Sequence, residues 1–183
     1  MEDDLHSIEQ QLAGKRDFDT PPLHLWQPAL SGDIPISITA SGEWFHDGGK
    51  IKRPALVNLF ASILRREEDG EYYLVTPVEK WRIEVALHPL MVVDVDAIDH
   101  HGKTVLRLTL NTGKTVDVGD AHPLVLDPAA DMIATVALPH GLTALFTRAA
   151  WYRLVDMAAT VEDRLVVRSA GTEYVLGDLP GPH

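Results

Sequence analysis

KIKRPALVNLFASILRREEDGEYYLVTPVEKWRIEV, residues Lys50 to Val85, reads as a basic lead-in, one amphipathic helix, a turn and two strands. Leu56, Leu59, Phe60, Ile63 and Leu64 fall at i, i+3, i+4, i+7 and i+8, one apolar stripe at helical period. Pro54 suits the first helical position, where a missing N–H costs nothing. Arg65 and Arg66 complete the last turn on this reading, and Asp69-Gly70 stops it. Tyr72 to Val75 follows as a strand, interrupted by Thr76-Pro77. Trp81, Ile83, Val85 and Leu87 then alternate with Lys80, Arg82 and Glu84, the period-2 signature of a two-faced strand.

The lead-in breaks a local rule. Lys50, Lys52 and Arg53 crowd a helix N-terminus, where the peptide dipoles favour anions. Gly48 to Arg66 holds five basic side chains and no acidic one, in a chain of net charge -11. Such a conflict is where function is worth seeking. Lys50, Lys52 and Arg53, with the first helical N–H groups, are therefore the candidate ligand-binding residues, for a small anion or an acidic protein partner.

Outward from that stretch, MEDDLHSIEQQLAG is a short acidic helix with Leu5, Ile8 and Leu12 on one face. Thr20 to Pro28 is an extended connector. Ile34, Ile36 and Ile38 alternate with Pro35, Ser37 and Thr39 as a half-buried strand, and Ser41-Gly42 turns the chain into a second, Glu43 to His46. Past Val85, Met91–Val95 and Thr104–Leu110 flank the turn at His100-His101-Gly102-Lys103, and Thr115–Val118 follows. These connections are too short for parallel crossovers, so the segment is an antiparallel meander. Met132–Leu138 is a further strand, then a helix from Gly141 to about Ala159, then strands Arg164–Arg168 and Thr172–Leu176.

Leu56-x-x-Leu59-Phe60 is echoed by Leu142-x-x-Leu145-Phe146. Each predicted helix is followed by an acidic turn, Glu67–Asp69 and Glu162-Asp163, and then by a strand pair. The fold class is thus α+β: antiparallel sheets with two strand-helix-strand-strand repeats in two closely packed halves, residues 1–87 and 88–183. Leu59, Phe60, Ile63, Leu145, Phe146, Trp81 and Ile83 are the expected core.

The segments SGEWFHDGGKIKRPALVNLFASILRREEDGEYYLVTPVEK, GDAHPLVL and HGLTALFTRAAWYRLV resemble a family of small proteobacterial proteins, the domain of unknown function numbered twelve-eighty-five. The resemblance spans roughly Pro28 to Leu176. It implies an α+β fold with repeated motifs in two linked halves, and a suggested role in signalling, but no activity and no catalytic residues. Pro139-His140-Gly141 departs from the family pattern, which tends to carry a charged pair before this glycine.

Composition narrows the function classes. The acidic excess covers both halves, which disfavours nucleic-acid binding, since phosphate neutralisation needs a basic footprint. There is no cysteine, and so no disulfide, thiolate catalysis or cysteine-ligated metal. No apolar run has the length of a signal peptide or a membrane span, so a cytoplasmic location is expected. Asp94, Asp96, Asp99, His100 and His101 are the densest group of metal-ligating types, with Asp120 and His122 further on. A metal-dependent hydrolase using the Asp94–His101 region is the alternative function. The strand places Asp94 and Asp96 on one face while the histidines sit in a turn, so a solvated turn is preferred and no metal is assigned. Ser41, His46 and Asp47 lack a nucleophile-elbow context, and Gly48-Gly49-Lys50-Ile51 lacks the spacing of a phosphate-binding loop. The preferred reading is a binding or signalling module rather than an enzyme, with no cofactor. The identity of its partner and its assembly into homo-oligomers are left open.

Overall fold

The computed structural model describes residues 2–13 and 20–179. The fold is α+β, with few helices and two repeat halves, each built on a six-stranded sheet. The chain divides into two compact units, Met1–Pro89 with Pro139–Leu142, and Leu90–Leu138 with Thr143–His183. No helix of the described residues is long and apolar enough to cross a membrane.

The first unit runs α1 (Glu2–Ala13), β1 (Leu30–Ile38), β2 (Trp44–His46), β3 (Gly49–Lys50), α2 (Pro54–Ser62), β4 (Leu64–Arg66), β5 (Tyr72–Val75) and β6 (Lys80–Val85). Its sheet order is β3-β2-β1-β6-β5-β4. Three strands step outward from β1, α2 carries the chain to the opposite edge, and three step back inward to β6. The sheet is therefore antiparallel except for its central pair, β1 against β6. Ile34, Ile36 and Ile38 are buried along β1, as the alternation requires. Trp44 lies opposite Ile38, and its ring meets that of Phe60 of α2 at 6.2 Å. Phe60 and Ile63 are fully buried and Ile83 nearly so, whereas Leu59 and Trp81 are only half-buried. Ile8 and Leu12 of α1 are buried, and its Gln11 amide donates to Glu79 at 3.0 Å.

The second unit runs β7 (Leu90–His100), β8 (Lys103–Leu110), β9 (Thr115–Asp117), β10 (Leu124–Asp127), β11 (Ile133–Ala137), β12 (Thr143–Phe146), α3 (Arg148–Asp156), β13 (Ala159–Val161), β14 (Arg164–Ser169) and β15 (Thr172–Asp178). Its large sheet has the order β10-β11-β12-β7-β8-β9. The logic is that of the first sheet: three strands outward from β7, three inward to β12, and one parallel central pair. β13, β14 and β15 form a separate antiparallel sheet, stitched to the large one by Ser169. That buried hydroxyl accepts from the Leu106 N–H at 2.9 Å and donates to the Val118 carbonyl at 2.6 Å.

Each helix leads into a three-stranded antiparallel meander, and each acidic turn joins the first and second strands of one. The helix boundaries differ from those expected. α2 ends at Ser62, and Leu64-Arg65-Arg66 is an edge strand paired with Tyr72–Leu74. Gly70, at a φ of 83°, closes this hairpin, and the ladder satisfies backbone groups that a helix end would leave open. The second helix does not begin at Gly141. Thr143–Phe146 is strand β12, and α3 starts after Thr147, whose hydroxyl accepts from the Ala150 N–H. Leu145 and Phe146 are neighbours on the central strand β12 and are both buried, whereas Leu142 precedes that strand, so the helical spacing of the three is coincidental. β10 and β13 are strands the sequence did not announce.

Candidate functional site

Arg65 on β4 is only 8 % exposed, unusual for a residue that almost never goes under unless paired. Its pairing is supplied by the proline-rich connector. The connector is not extended here: Pro22 sits in a tight turn, with the Leu23 N–H donating to the Pro21 carbonyl at 2.8 Å, and leads into a short 3-10 turn, Leu23–Leu25, so that the Leu23 and Trp26 carbonyls each accept from Arg65 Nη1 at 2.9 Å. Arg65 Nη2 donates to Glu67 Oε1 at 2.6 Å, and Lys80 of β6 reaches Glu67 Oε2 at 3.0 Å. Lys80 also lies 4.8 Å from the Tyr73 ring centroid, and the Tyr73 hydroxyl donates to Asp69 at 2.6 Å.

This network floors an open polar cleft of about 590 Å³, all of whose lining residues belong to the first unit. His24 and Gln27 line it from the connector, Arg66 and Glu68 from β4 and its turn, and His140 from the turn Pro139–Gly141. Gly141 allows that last approach. Its φ is 71°, and a Cβ there would stand 3.0 Å from the Arg66 carbonyl oxygen. Among the described residues, neither the His24 nor the His140 imidazole has a hydrogen-bond partner.

The electrostatics follow from these contacts. Burial pushes the Glu67 carboxyl up, but the hydrogen bonds and charges of Arg65 and Lys80 together outweigh it and hold Glu67 below the usual carboxylate range. Tyr73's hydrogen bond to Asp69 pushes the phenol up to about 12 and holds Asp69 low. Tyr73 is thus no nucleophile near neutral pH. Burial, then the charges of Arg65 and His24, hold His140 below the ordinary imidazole value. Three cations, Arg65, Arg66 and Lys80, face three carboxylates, Glu67, Glu68 and Asp69, and two imidazoles complete the lining.

The residues singled out from the sequence lie elsewhere in the first unit. Lys50 on β3 is paired with Glu43. Arg53 is the N-cap residue of α2 and meets Glu9 of α1 at 3.0 Å. Lys52 lies exposed between them. The helix starts with Pro54 and has no acidic residue in its first turn, as its sequence implied, and its N-terminus has no side-chain cap.

The Asp94–His101 group is not brought together as a ligand set. Asp94 and Asp96 both pair with Arg153 of α3, at 3.0 and 3.2 Å. Asp99 accepts from the Gly102 N–H across the hairpin turn, while the rings of His100 and His101 meet edge to face. The described residues contain no group of three or more His, Asp or Glu side chains placed to hold a metal. Ser41 bonds to Thr39, and His46 lies 3.4 Å from Asp47.

The cleft is what sequence reasoning missed. In the sequence Arg65-Arg66 reads as a helix end answering the dipole, and only the burial of Arg65 in the fold reveals the network. The one available signal was Pro139-His140-Gly141, visible as a departure from a family pattern but without a partner to give it meaning.

A family profile described as domain of unknown function (DUF1285), N-terminal domain, matches residues 21–86, and the profile of the DUF1285 C-terminal domain matches residues 89–176. The chain is similar to a DUF1285 family protein of Silicibacter pomeroyi of known crystal structure, at 38 % identity and a TM-score of 0.79, over 92 % of this chain and 94 % of that one. It is also similar to a DUF1285 family protein of Shewanella baltica, at 31 % identity and a TM-score of 0.57, over 67 % and 91 %. Among curated proteins no match is found.

Proposed function

The chain belongs to the DUF1285 family, and from that premise we propose that it is a binding module without chemistry of its own, holding a small anionic ligand in the cleft over β4. One observation carries the reading: a buried guanidinium, fixed by two backbone carbonyls, lines one cleft with two imidazoles that have no hydrogen-bond partner among the described residues. The cleft falls in the roughly 300–1,000 Å³ range of small-molecule sites. Arg65, Lys80, Glu67 and Asp69 are already engaged with protein groups, which leaves the rest of the Arg66 guanidinium and the two imidazoles to meet a ligand, beside the Glu68 carboxylate. A module of this kind works by presenting its ligand-bound form to a protein partner or a second copy, which accords with a signalling role. The test is titration calorimetry against phosphorylated metabolites and small carboxylates, using the wild type and Arg66→Gln. Binding of one such anion, weakened in the variant, supports the reading; failure of the whole panel overturns it.

A second reading is favoured by the contact between Glu9 and Arg53. It seats an acidic helix, α1, beside the lead-in formed by Lys50, Lys52 and Arg53. On this reading that basic stretch docks an acidic segment of a protein partner, with α1 standing in for it.

A further inference from the structure

The cleft has no net positive charge while its histidines are neutral. Arg65 and Lys80 are spent on Glu67, and Arg66 is balanced by Glu68 and Asp69. An anion arriving in such a site gains little from Coulomb attraction unless another positive charge appears. Every cation there is permanently charged at neutral pH, so only an imidazole can supply it. His140 is placed to do so. Its ring is part-buried, has no hydrogen-bond partner among the described residues, and is held over β4 by the close approach of Gly141 to Arg66.

We propose that the ligand is a small dianion that enters this cleft together with a proton taken up by His140. The inference rests on the reading of the cleft as an anion site and adds the ligand's charge and its coupling to pH. The groups facing His140 are His24 from the connector, Arg65, Arg66 and Glu67 from β4 and its end, Glu68 and Asp69 from the turn, and Lys80 from β6. In the free protein, burial and the Arg65 charge, joined by His24 when that ring is protonated, hold His140 below the ordinary imidazole value. A bound dianion reverses that local field, so the imidazolium is favoured in the complex and disfavoured without it. The sign follows by linkage: affinity is greatest below the free protein's His140 value and declines as pH rises through the value in the complex. Either a tetrahedral oxyanion or a planar dicarboxylate supplies the charge.

Sulfate and oxalate distinguish these two, and both remain dianions across the range used. Titration calorimetry of the full chain at about pH 5.5 and 7.5 should show the better probe losing about tenfold or more in affinity at the higher pH. The binding enthalpy should depend on the buffer's own ionisation heat, reporting uptake of a proton. His140→Asn keeps a residue type that tolerates a positive φ. It should flatten the pH dependence while leaving the thermal midpoint in place, and the wild-type His140 ring should titrate higher in the NMR spectrum when the probe is present. Affinity equal at both pH values, or a full pH dependence retained in His140→Asn, overturns the inference and leaves the anion site standing. Failure of both probes at pH 5.5 overturns the inference outright. The anion site itself falls only if the metabolite panel fails too.

Discussion

Truncating Phe60 to alanine removes the ring that joins α2 to the sheet beneath it. Phe60 is fully buried and stacks on Trp44 at 6.2 Å, with 29° between the ring planes. α2 is also the only link between the outer strands β3 and β4, so its seating fixes where the second meander starts. A Phe→Ala change in a close-packed core costs about 3–5 kcal/mol, as transfer free energy plus the residual cavity. The stacked pair adds about 0.5–1.5 kcal/mol beyond its area. Collapse of neighbouring side chains works the other way, so about 4 kcal/mol is expected. Urea unfolding followed by indole fluorescence reads the loss as a shift of the midpoint. Leu59→Ala is the internal control. It lies one residue away but is only half-buried, and should cost less than half as much. A loss below about 1 kcal/mol at Phe60 with an unchanged m-value, or equal losses at the two positions, would refute the assignment of the helix face.

Arg65→Met leaves the Leu23 and Trp26 carbonyls and the Glu67 carboxylate without their donor, and should cost about 2–4 kcal/mol in chemical denaturation. Glu67 is held below its ordinary value in the folded state, so its contribution is fully present at neutral pH and is lost as pH falls through the folded value. The stability advantage of wild type over Glu67→Gln should therefore shrink on acidification, measured as midpoint differences across a pH series. Lys52→Ala with Arg53→Ala relieves a clash with the helix dipole and gives up one exposed pair with Glu9. At low salt the folded protein should stay within about 0.5 kcal/mol of wild type, while any binding of acidic peptides is lost.

What the sequence determined by itself was local. Pro54 opened a helix, and the alternation of Ile34, Ile36 and Ile38 marked a strand. His100-His101-Gly102 turned a hairpin, and the order of apolar and acidic segments disclosed a repeated α+β plan. Each of these is set by the backbone preferences of a few neighbouring residues, or by one face that must be buried. Tertiary structure decided the rest. Leu64 satisfies a helical stripe and a strand equally well, and only pairing with Tyr72–Leu74 chose between them. Leu145 and Phe146 mimic a helix because successive residues of β12, which point to opposite faces, are both buried, a condition set by what packs over the sheet rather than by the segment itself. The parallel pairing of β1 with β6, and of β7 with β12, joins residues remote in sequence. The cleft is the extreme case. His24, Arg65, Lys80 and His140 come from four separate places in the chain, and burial of the guanidinium depends on carbonyls some forty residues upstream. Charge and periodicity are properties of a segment; desolvation and partnership belong to whatever the fold sets against it.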